Sequence, residues 1–506
     1  MATNEASRLD PTDLLRMNKS EQFLVCISEF YTCARSLQPV AVSTFFQSQR
    51  PRSICYGYTA REPEHVQAPP ATMPPPPLAF TVRRRGEPAL VGPAAPTPRE
   101  TKRLSDIDDQ DTLRMHVAFL FLYRGGGGRD DPAGVIRRAL SGALVPFYPL
   151  AGRLREVEAR KLVVDCTGEG VLFVEADADV RLVELEAAGH GLSPPFPCMD
   201  QLLVDVDGSG GVLHCPLVLV QVTRLLCGGF ILALRLNHTI CDAIGLAQFM
   251  SAVAELTRGL PAPTVAPEWS RELLEARRPP KPSFPHREFD AVPPTPPPPG
   301  EMVTRTFTFT PADVAAIKRA LPPKLRATAT SFEALTAALW RARTAALAPP
   351  ADQEARLVCI VNVRAVPALA LPAGYYGNAC VPVGALTTVG ALTAGPLGDA
   401  VALVRAAKAA LSAEYVRSTL DLLALRGRPC VALANLFLVS DNRRVGFQRL
   451  DFGWGEPAYG GPAATLFGLS YFAHAGSGGA DVAVLIALPR PSMERFASEV
   501  ETLLKG

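Results

Sequence analysis

No uninterrupted apolar run in the 506 residues approaches the roughly 18 that a membrane-crossing helix needs, although 48% of the chain is hydrophobic. An excess of one charge is missing too. With 51 basic and 49 acidic residues the net charge is +2, which gives no electrostatic hold on nucleic acid or an anionic membrane surface. The 11 cysteines are odd in number and show no Cys-x-x-Cys spacing. That pattern favours reduced thiols over a disulfide framework and suggests no zinc site. The Gly-rich GGGGRDDPAG at 125–134 lacks the Gly-Lys-Ser/Thr ending of a phosphate loop. FLVCISEF, the best N-terminal signal candidate, is short and contains Glu29, so no secretory signal is read and a cytoplasmic location is expected.

What the chain does have is regular α/β patterning. Its length exceeds one usual core, so two domains are expected. Residues 1–77 mix polar and aromatic residues without periodicity and end in APPATMPPPP; they read as a disordered extension or as a stretch upstream of a start at Met73. Residues 78–262 are read as a first domain, 263–300 as a Pro-rich linker and 301–506 as a second domain. Strands are expected at MHVAFLFLY (115–123), 161–165, 170–175, 213–222, 229–236, VTRTFTF (303–309), LVCIVNV (357–363), 431–438 and 481–488. VIRRALSGALVPF and PSMERFASEVETLL read as helices. Thr310-Pro311-Ala-Asp313 and Thr330-Ser-Phe-Glu333 are helix starts with an N-cap hydroxyl and an acid near the positive end. Phe332, Leu335, Leu339 and Ala342 mark the buried face of the second. No internal repeat is present.

The most informative stretch is ILALRLNHTICDAIGLAQFM, 231–250. An alternating strand stops at Asn237-His238, and an amphipathic helix begins at Asp242, with Ile244, Leu246, Phe249, Val253 and Leu256 available for burial. An imidazole at such a junction is held rigidly while still reaching a cleft, and its proton affinity suits acid/base work near neutral pH. The His-x-x-x-Asp spacing alone fits a structural histidine as well. A second copy, His286 to Asp290, lies in a proline-dense stretch that reads as an exposed connector. His474 and His116 read as structural or surface residues. Lys318, Arg319, Lys324 and Arg326 are explained by a solvated helix face and are not assigned. Far along the chain, DFGWG (451–455) suggests a tight turn fixing an indole.

Together HTICD in mid-chain, the Pro-rich connector and DFGWG resemble the plant BAHD acyl-CoA-dependent acyltransferases. The resemblance spans about 78–506 and includes LVPFYPLAGRL (144–154), NHTICDAIG (237–245), FPHREFD (284–290), TSFEALTAALWR (330–341), GYYGN (374–378) and DFGWGEPAYGGPA (451–463). The stretch VRRRGEPALVGPAAPTPRETKRLSDIDDQ (82–110) is similar to the branch containing benzyl alcohol O-benzoyltransferases.

The resemblance implies a two-domain fold of mixed sheets flanked by helices, with an active-site tunnel between domains. It implies a monomer that binds no metal and no permanent cofactor and takes acyl-CoA as co-substrate with a small alcohol acceptor of specialised metabolism. His238 would be the general base in a ternary complex, and Asp242 a structural carboxylate paired with Arg364. Asp451, Gly453 and Gly455 would shape the site from a distance, with the Trp454 N–H a donor to the tetrahedral oxyanion. Thr330, Ser331, Gly377 and Asn378 would contact CoA or line its tunnel. Cys241 reads as buried packing and not as a covalent nucleophile. An amine N-acyltransferase and a catalytically inactive binding protein are the alternatives.

Overall fold

The computed structural model describes residues 78–126, 131–188, 191–205, 212–476 and 479–505. The extension expected over 1–77 lies outside them, as does part of the Gly-rich loop. The first half supplies strands β1 (Val82–Arg84), β2 (Ala89–Val91), β3 (Thr101–Arg103), β4 (His116–Tyr123), β5 (Arg153–Glu156), β6 (Leu162–Asp165), β7 (Val171–Ala178), β8 (Val218–Leu225) and β9 (Phe230–Asn237). Its two long helices are α1 (Pro132–Ala143) and α2 (Ala243–Thr257). The second half adds β10 (Met302–Phe309), β11 (Glu354–Asn362), β12 (Cys380–Thr388), β13 (Leu436–Asp441), β14 (Tyr459–Pro462), β15 (Leu469–His474) and β16 (Val482–Pro489). Around them lie α3 (Pro311–Arg319), α4 (Ser331–Leu347), α5 (Leu397–Ala409), α6 (Ala413–Arg426) and α7 (Arg490–Lys505).

These strands form two large mixed sheets, as the α/β reading expects. The first runs β1-β7-β8-β9-β4-β14, with β2 also on β7; the second runs β10-β16-β15-β13-β11-β12. A small sheet, β3-β6-β5, flanks the first. β9 is buried on both faces apart from Arg235, as a central strand should be. Its neighbour β4 pairs with it from His116 opposite Asn237 to Tyr123 opposite Phe230. The edge partner of β4 is β14, which comes from residues 459–462, so the second half of the chain contributes a strand to the first sheet. A division at 263–300 therefore does not separate the two sheets by chain position.

Local signals explain the helix starts. Thr310 and Thr330 each accept a hydrogen bond from the backbone N–H three residues on, and Asp313 and Glu333 reach back to the cap N–H. Asp242 caps α2 by accepting from Gly245 N at 2.9 Å. The helices at 397–409 and 413–426, and strands β12, β14 and β15, had no counterpart in the sequence reading.

The Pro-rich connector differs from expectation at one point. His286 is buried and not exposed: Nδ1 lies 2.9 Å from Glu288 Oε1 and Nε2 lies 2.8 Å from Ser418 Oγ on α6. Ser418 Oγ also accepts from the backbone N–H groups of Ser283 and Phe284, and Tyr415 donates to Glu288 at 2.7 Å. The prolines set the extended backbone, while this polar network sets which side of it is covered. Ser418→Ala removes three hydrogen bonds, one of them to the buried His286, and should destabilise the fold by about 1–3 kcal/mol, read as a lower urea midpoint with an unchanged m-value.

Candidate active site

β9 ends where its hydrogen bonding runs out, and the turn 238–242 carries the chain into α2. That turn is fastened from several sides. His238 N–H donates to Met115 O at 2.9 Å, and its carbonyl accepts from Asn378 Nδ2 at 2.8 Å. Ile240 O accepts from Arg271 Nη2 at 2.8 Å. Asn237 Oδ1 takes the Thr239 hydroxyl at 2.8 Å. The imidazole is partly exposed while its Nδ1 is buried without a partner among the described residues. The backbone is thus immobilised and the Nε2 side of the ring is left open.

Asp242 faces the other way. Arg364 Nη1 donates to its Oδ2 at 2.8 Å and Arg364 Nη2 to its Oδ1 at 3.0 Å. Ala379 N–H donates to Oδ2 at 3.0 Å, beside the Gly245 cap on Oδ1. Burial by itself raises a carboxyl pKa; here the guanidinium and the two backbone donors outweigh it and hold Asp242 below the usual carboxylate range. Arg364 is equally committed, donating to Gly377 O at 2.6 Å and Tyr375 O at 3.2 Å.

A second ion pair, not anticipated from sequence, lies beneath the same turn. Asp108 is fully buried, and Arg271 Nε sits 3.2 Å from its Oδ2. The Arg271 guanidinium carbon is 4.3, 5.1 and 5.0 Å from the ring centroids of Trp269, Tyr375 and Tyr376. Asp108 Oδ1 accepts from both Asn378 N (2.9 Å) and Asn378 Nδ2 (2.8 Å). The signal was present: an acidic run, SDIDDQ, with buried Leu104 and Ile107 beside it, and an Arg two residues after a Trp.

These contacts show what the residues of the expected site touch. The Asn378 amide is buried and donates to Asp108 and His238, contacts that position the turn. Gly377 is packed under Arg271: a Cβ there would lie 1.3 Å from Arg271 Nη1. Thr330 and Ser331 stay exposed at the N-terminus of α4. Cys241 is buried, and burial pushes its thiol pKa well up, which suits packing and not nucleophilic attack. The Nε2 of His474 lies 2.7 Å from Arg443 O, a structural contact.

The DFGWG turn is elsewhere. Asp451 Oδ1 accepts from Gly453 N (2.6 Å) and Gly455 N (2.8 Å), and both glycines have positive φ, 99° and 83°. The Trp454 ring packs edge-on to Phe230 at 5.3 Å. Phe230 begins the strand that His238 follows, and eight residues at about 3.3 Å each separate the two by roughly 26 Å. The indole N–H therefore cannot serve an oxyanion at His238. Trp454 instead lines a cleft of about 430 Å³ with Val135, Arg138, Ala139, Leu256 and Phe452, at the far end of the sheet.

The model of the transferase family matches residues 83–503. Benzyl alcohol O-benzoyltransferase of Petunia hybrida is 50% identical over 443 residues, covering 85% of this chain and 95% of that protein. The chain belongs to the BAHD transferase family. Like that relative, it is an acyltransferase. Alcohol acyl transferase 1 allele GSa of Malus domestica is 46% identical over 439 residues, 84% of this chain and 95% of that protein. Among solved structures, vinorine synthase shares the fold with a TM-score of 0.65 at 22% identity, covering 84% of this chain and 98% of its own. F. graminearum TRI101 complexed with coenzyme A and T-2 mycotoxin has a TM-score of 0.64 at 15% identity, covering 79% and 97%.

Three outcomes follow for this BAHD enzyme. Asp242→Asn leaves the half-buried Arg364 without its charge partner, which should cost up to about 3–5 kcal/mol at pH 7. Because the folded pKa of Asp242 is depressed, the wild-type advantage is complete above the unfolded value of about 3.9 and fades as pH falls through the folded one. Urea titrations of both proteins at pH 7 and pH 3 check this. Trp454→Phe should leave kcat far above the 10²–10³-fold loss typical of a deleted oxyanion donor, in a steady-state assay.

Proposed function

We propose that the chain is an acyl-CoA-dependent O-acyltransferase that makes an ester from an acyl-CoA and a small alcohol, with His238 as general base. The observation that carries the reading is His238 itself, with a backbone locked by Met115 and Asn378 and a ring open only on its Nε2 side. The identity to proteins named benzyl alcohol O-benzoyltransferase supports benzoyl-CoA and benzyl alcohol as the first pair to try, with acetyl- and hydroxycinnamoyl-CoA as further donors. Residues 78–262 and 301–506, apart from β14 which joins the first sheet, act in this reading as two lobes that admit acyl-CoA and acceptor together.

The chemistry requires little else. An alcohol has a pKa far above neutral, so its oxygen attacks the thioester carbon as Nε2 takes the proton. The tetrahedral adduct then expels the CoA thiolate, and the imidazolium returns the proton to sulfur. The complete cycle leaves the histidine as it began. A thioester is already activated, so no metal or enzyme nucleophile is needed, and holding both substrates together supplies proximity. Asp242 does not touch the imidazolium in this scheme; it fixes the turn. Thr330 and Ser331, at the positive end of α4 near Arg405 and Lys408, would meet the anionic end of CoA in this reading.

The test is thiol release with a panel of acyl-CoAs, alcohols and amines. His238→Ala should lower kcat/KM by about 10²–10⁴-fold with its melting temperature unchanged. Equal release by wild type and variant would remove the catalytic reading, and product mass distinguishes ester from amide.

A further inference from the structure

The imidazole of His238 lacks the contact that commonly aims such a ring. A working histidine is usually oriented by a hydrogen bond on its second nitrogen. Here Nδ1 is buried with no hydrogen-bond partner among the described residues. The direction of the ring is then inherited from the backbone that carries it. Two bonds flank that Cα: the His238 N–H donates to Met115 O at 2.9 Å, and the His238 carbonyl accepts from Asn378 Nδ2 at 2.8 Å. They hold the planar peptide on each side, so they set φ and ψ and with them the direction of the Cα–Cβ bond.

The two bonds differ in kind. The first extends the pairing of β4 with β9, where His116 stands opposite Asn237, and belongs to the sheet. The second comes from a single side chain. Asn378 is 2% exposed, and its amide nitrogen has two hydrogens for two acceptors, Asp108 Oδ1 and His238 O, each at 2.8 Å. Both neighbours are acceptor oxygens, so the NH2 and not the amide oxygen must face them. Asp108 is itself held. Its Oδ1 also accepts the Asn378 N–H at 2.9 Å, and its Oδ2 accepts the Ser105 N–H at 3.1 Å and hydroxyl at 2.8 Å. Arg271 Nε sits 3.2 Å from the same Oδ2. One hydrogen of the amide is thus anchored on a fixed carboxylate, which leaves the other aimed at His238 O.

We propose that Asn378 is a positioning residue for the reaction: by holding the His238 carbonyl it sets the direction in which Nε2 meets the acceptor hydroxyl. The proposal rests on His238 as general base. Without the amide, ψ of residue 238 is held by no side chain named above, and a misplacement of about 1 Å at the reacting nitrogen can cost about 10²-fold in rate.

Steady-state thiol release by the full chain tests this. Asn378→Ala should lower kcat by about 10–10²-fold, with KM for acyl-CoA and for alcohol near wild type. In a His238→Ala background the same change should cost nothing further, since no base is left to aim. Ser418→Ala, whose partners lie in the connector, should lose stability and keep kcat. Wild-type kcat in Asn378→Ala, a raised KM for acyl-CoA with kcat preserved, losses that multiply in the double variant, or an equal kcat loss in Ser418→Ala would each overturn the proposal. Equal release by wild type and His238→Ala would remove the general base and this proposal together. An impaired His238→Ala beside a normal Asn378→Ala would remove this one alone. Where Asn378→Ala does not fold, Asn378→Ser carries the same readings, because one hydroxyl proton cannot serve Asp108 and His238 at once.

Discussion

The Asp242–Arg364 ion pair is the constraint on which the site depends. One carboxylate caps α2 through Gly245, takes both arms of the guanidinium, and accepts the Ala379 N–H from the strand segment that follows GYYGN. Residues 120 and more positions apart are thereby fixed to the turn between β9 and α2. Buried pairs of this kind contribute little net stability compared with apolar packing of the same volume. Their value lies in geometry, because neither partner can move without stranding the other. Gly245 shows how closely the parts meet: a Cβ there would sit 1.9 Å from Tyr376 O, so α2 abuts the GYYGN backbone directly.

The second pair, Asp108 with Arg271, does related work on the opposite side of the turn. Asp108 orients Asn378 so that its amide reaches His238 O, and Arg271 reaches Ile240 O. Two buried carboxylates thus end, through their partners, on backbone groups and not on the imidazole. This arrangement differs from a Ser-His-Asp triad, in which the carboxylate contacts the ring and stabilises its charged form. A thioester makes that assistance less necessary, since its leaving group is far better than an amine. In the proposed general-base scheme, rigid placement of the ring is then the main demand on the protein.

What was legible in the sequence had local causes. The β9-to-α2 switch shows as a change of period from two to about 3.6, and the caps at Thr310 and Thr330 are three-residue signals. What was not legible depends on long-range pairing. β14 is Tyr-Gly-Gly-Pro, three of whose four residues disfavour strands, and forms because β4 offers it an edge. His286 looked exposed because prolines surround it, yet Ser418, 132 positions away, covers it. The Ala-rich α5 has weak contrast between faces, which hid it. The distance from Trp454 to His238 was invisible for the same reason: a motif states its residues, and only the register of β9 states how far apart two motifs lie.

That separation also explains why a remote turn belongs to the same machinery. β4 and β9 run side by side from the DFGWG turn to the histidine. At one end the Tyr123 hydroxyl donates to Leu450 O at 2.7 Å, Arg258 at the end of α2 donates to Asp451 O, and Trp454 packs on Phe230. At the other end the same strand pair delivers Met115 O to His238 N–H. Since β9 and α2 both leave the histidine turn and both end at DFGWG, the loop closes the far side of a rigid strand–helix unit. Loosening it would let α2 pivot against β9, and the turn between them is where such a pivot would be felt. Asp451 and its two positive-φ glycines can therefore influence His238 from roughly 26 Å away by the stiffness of the strands and helix alone.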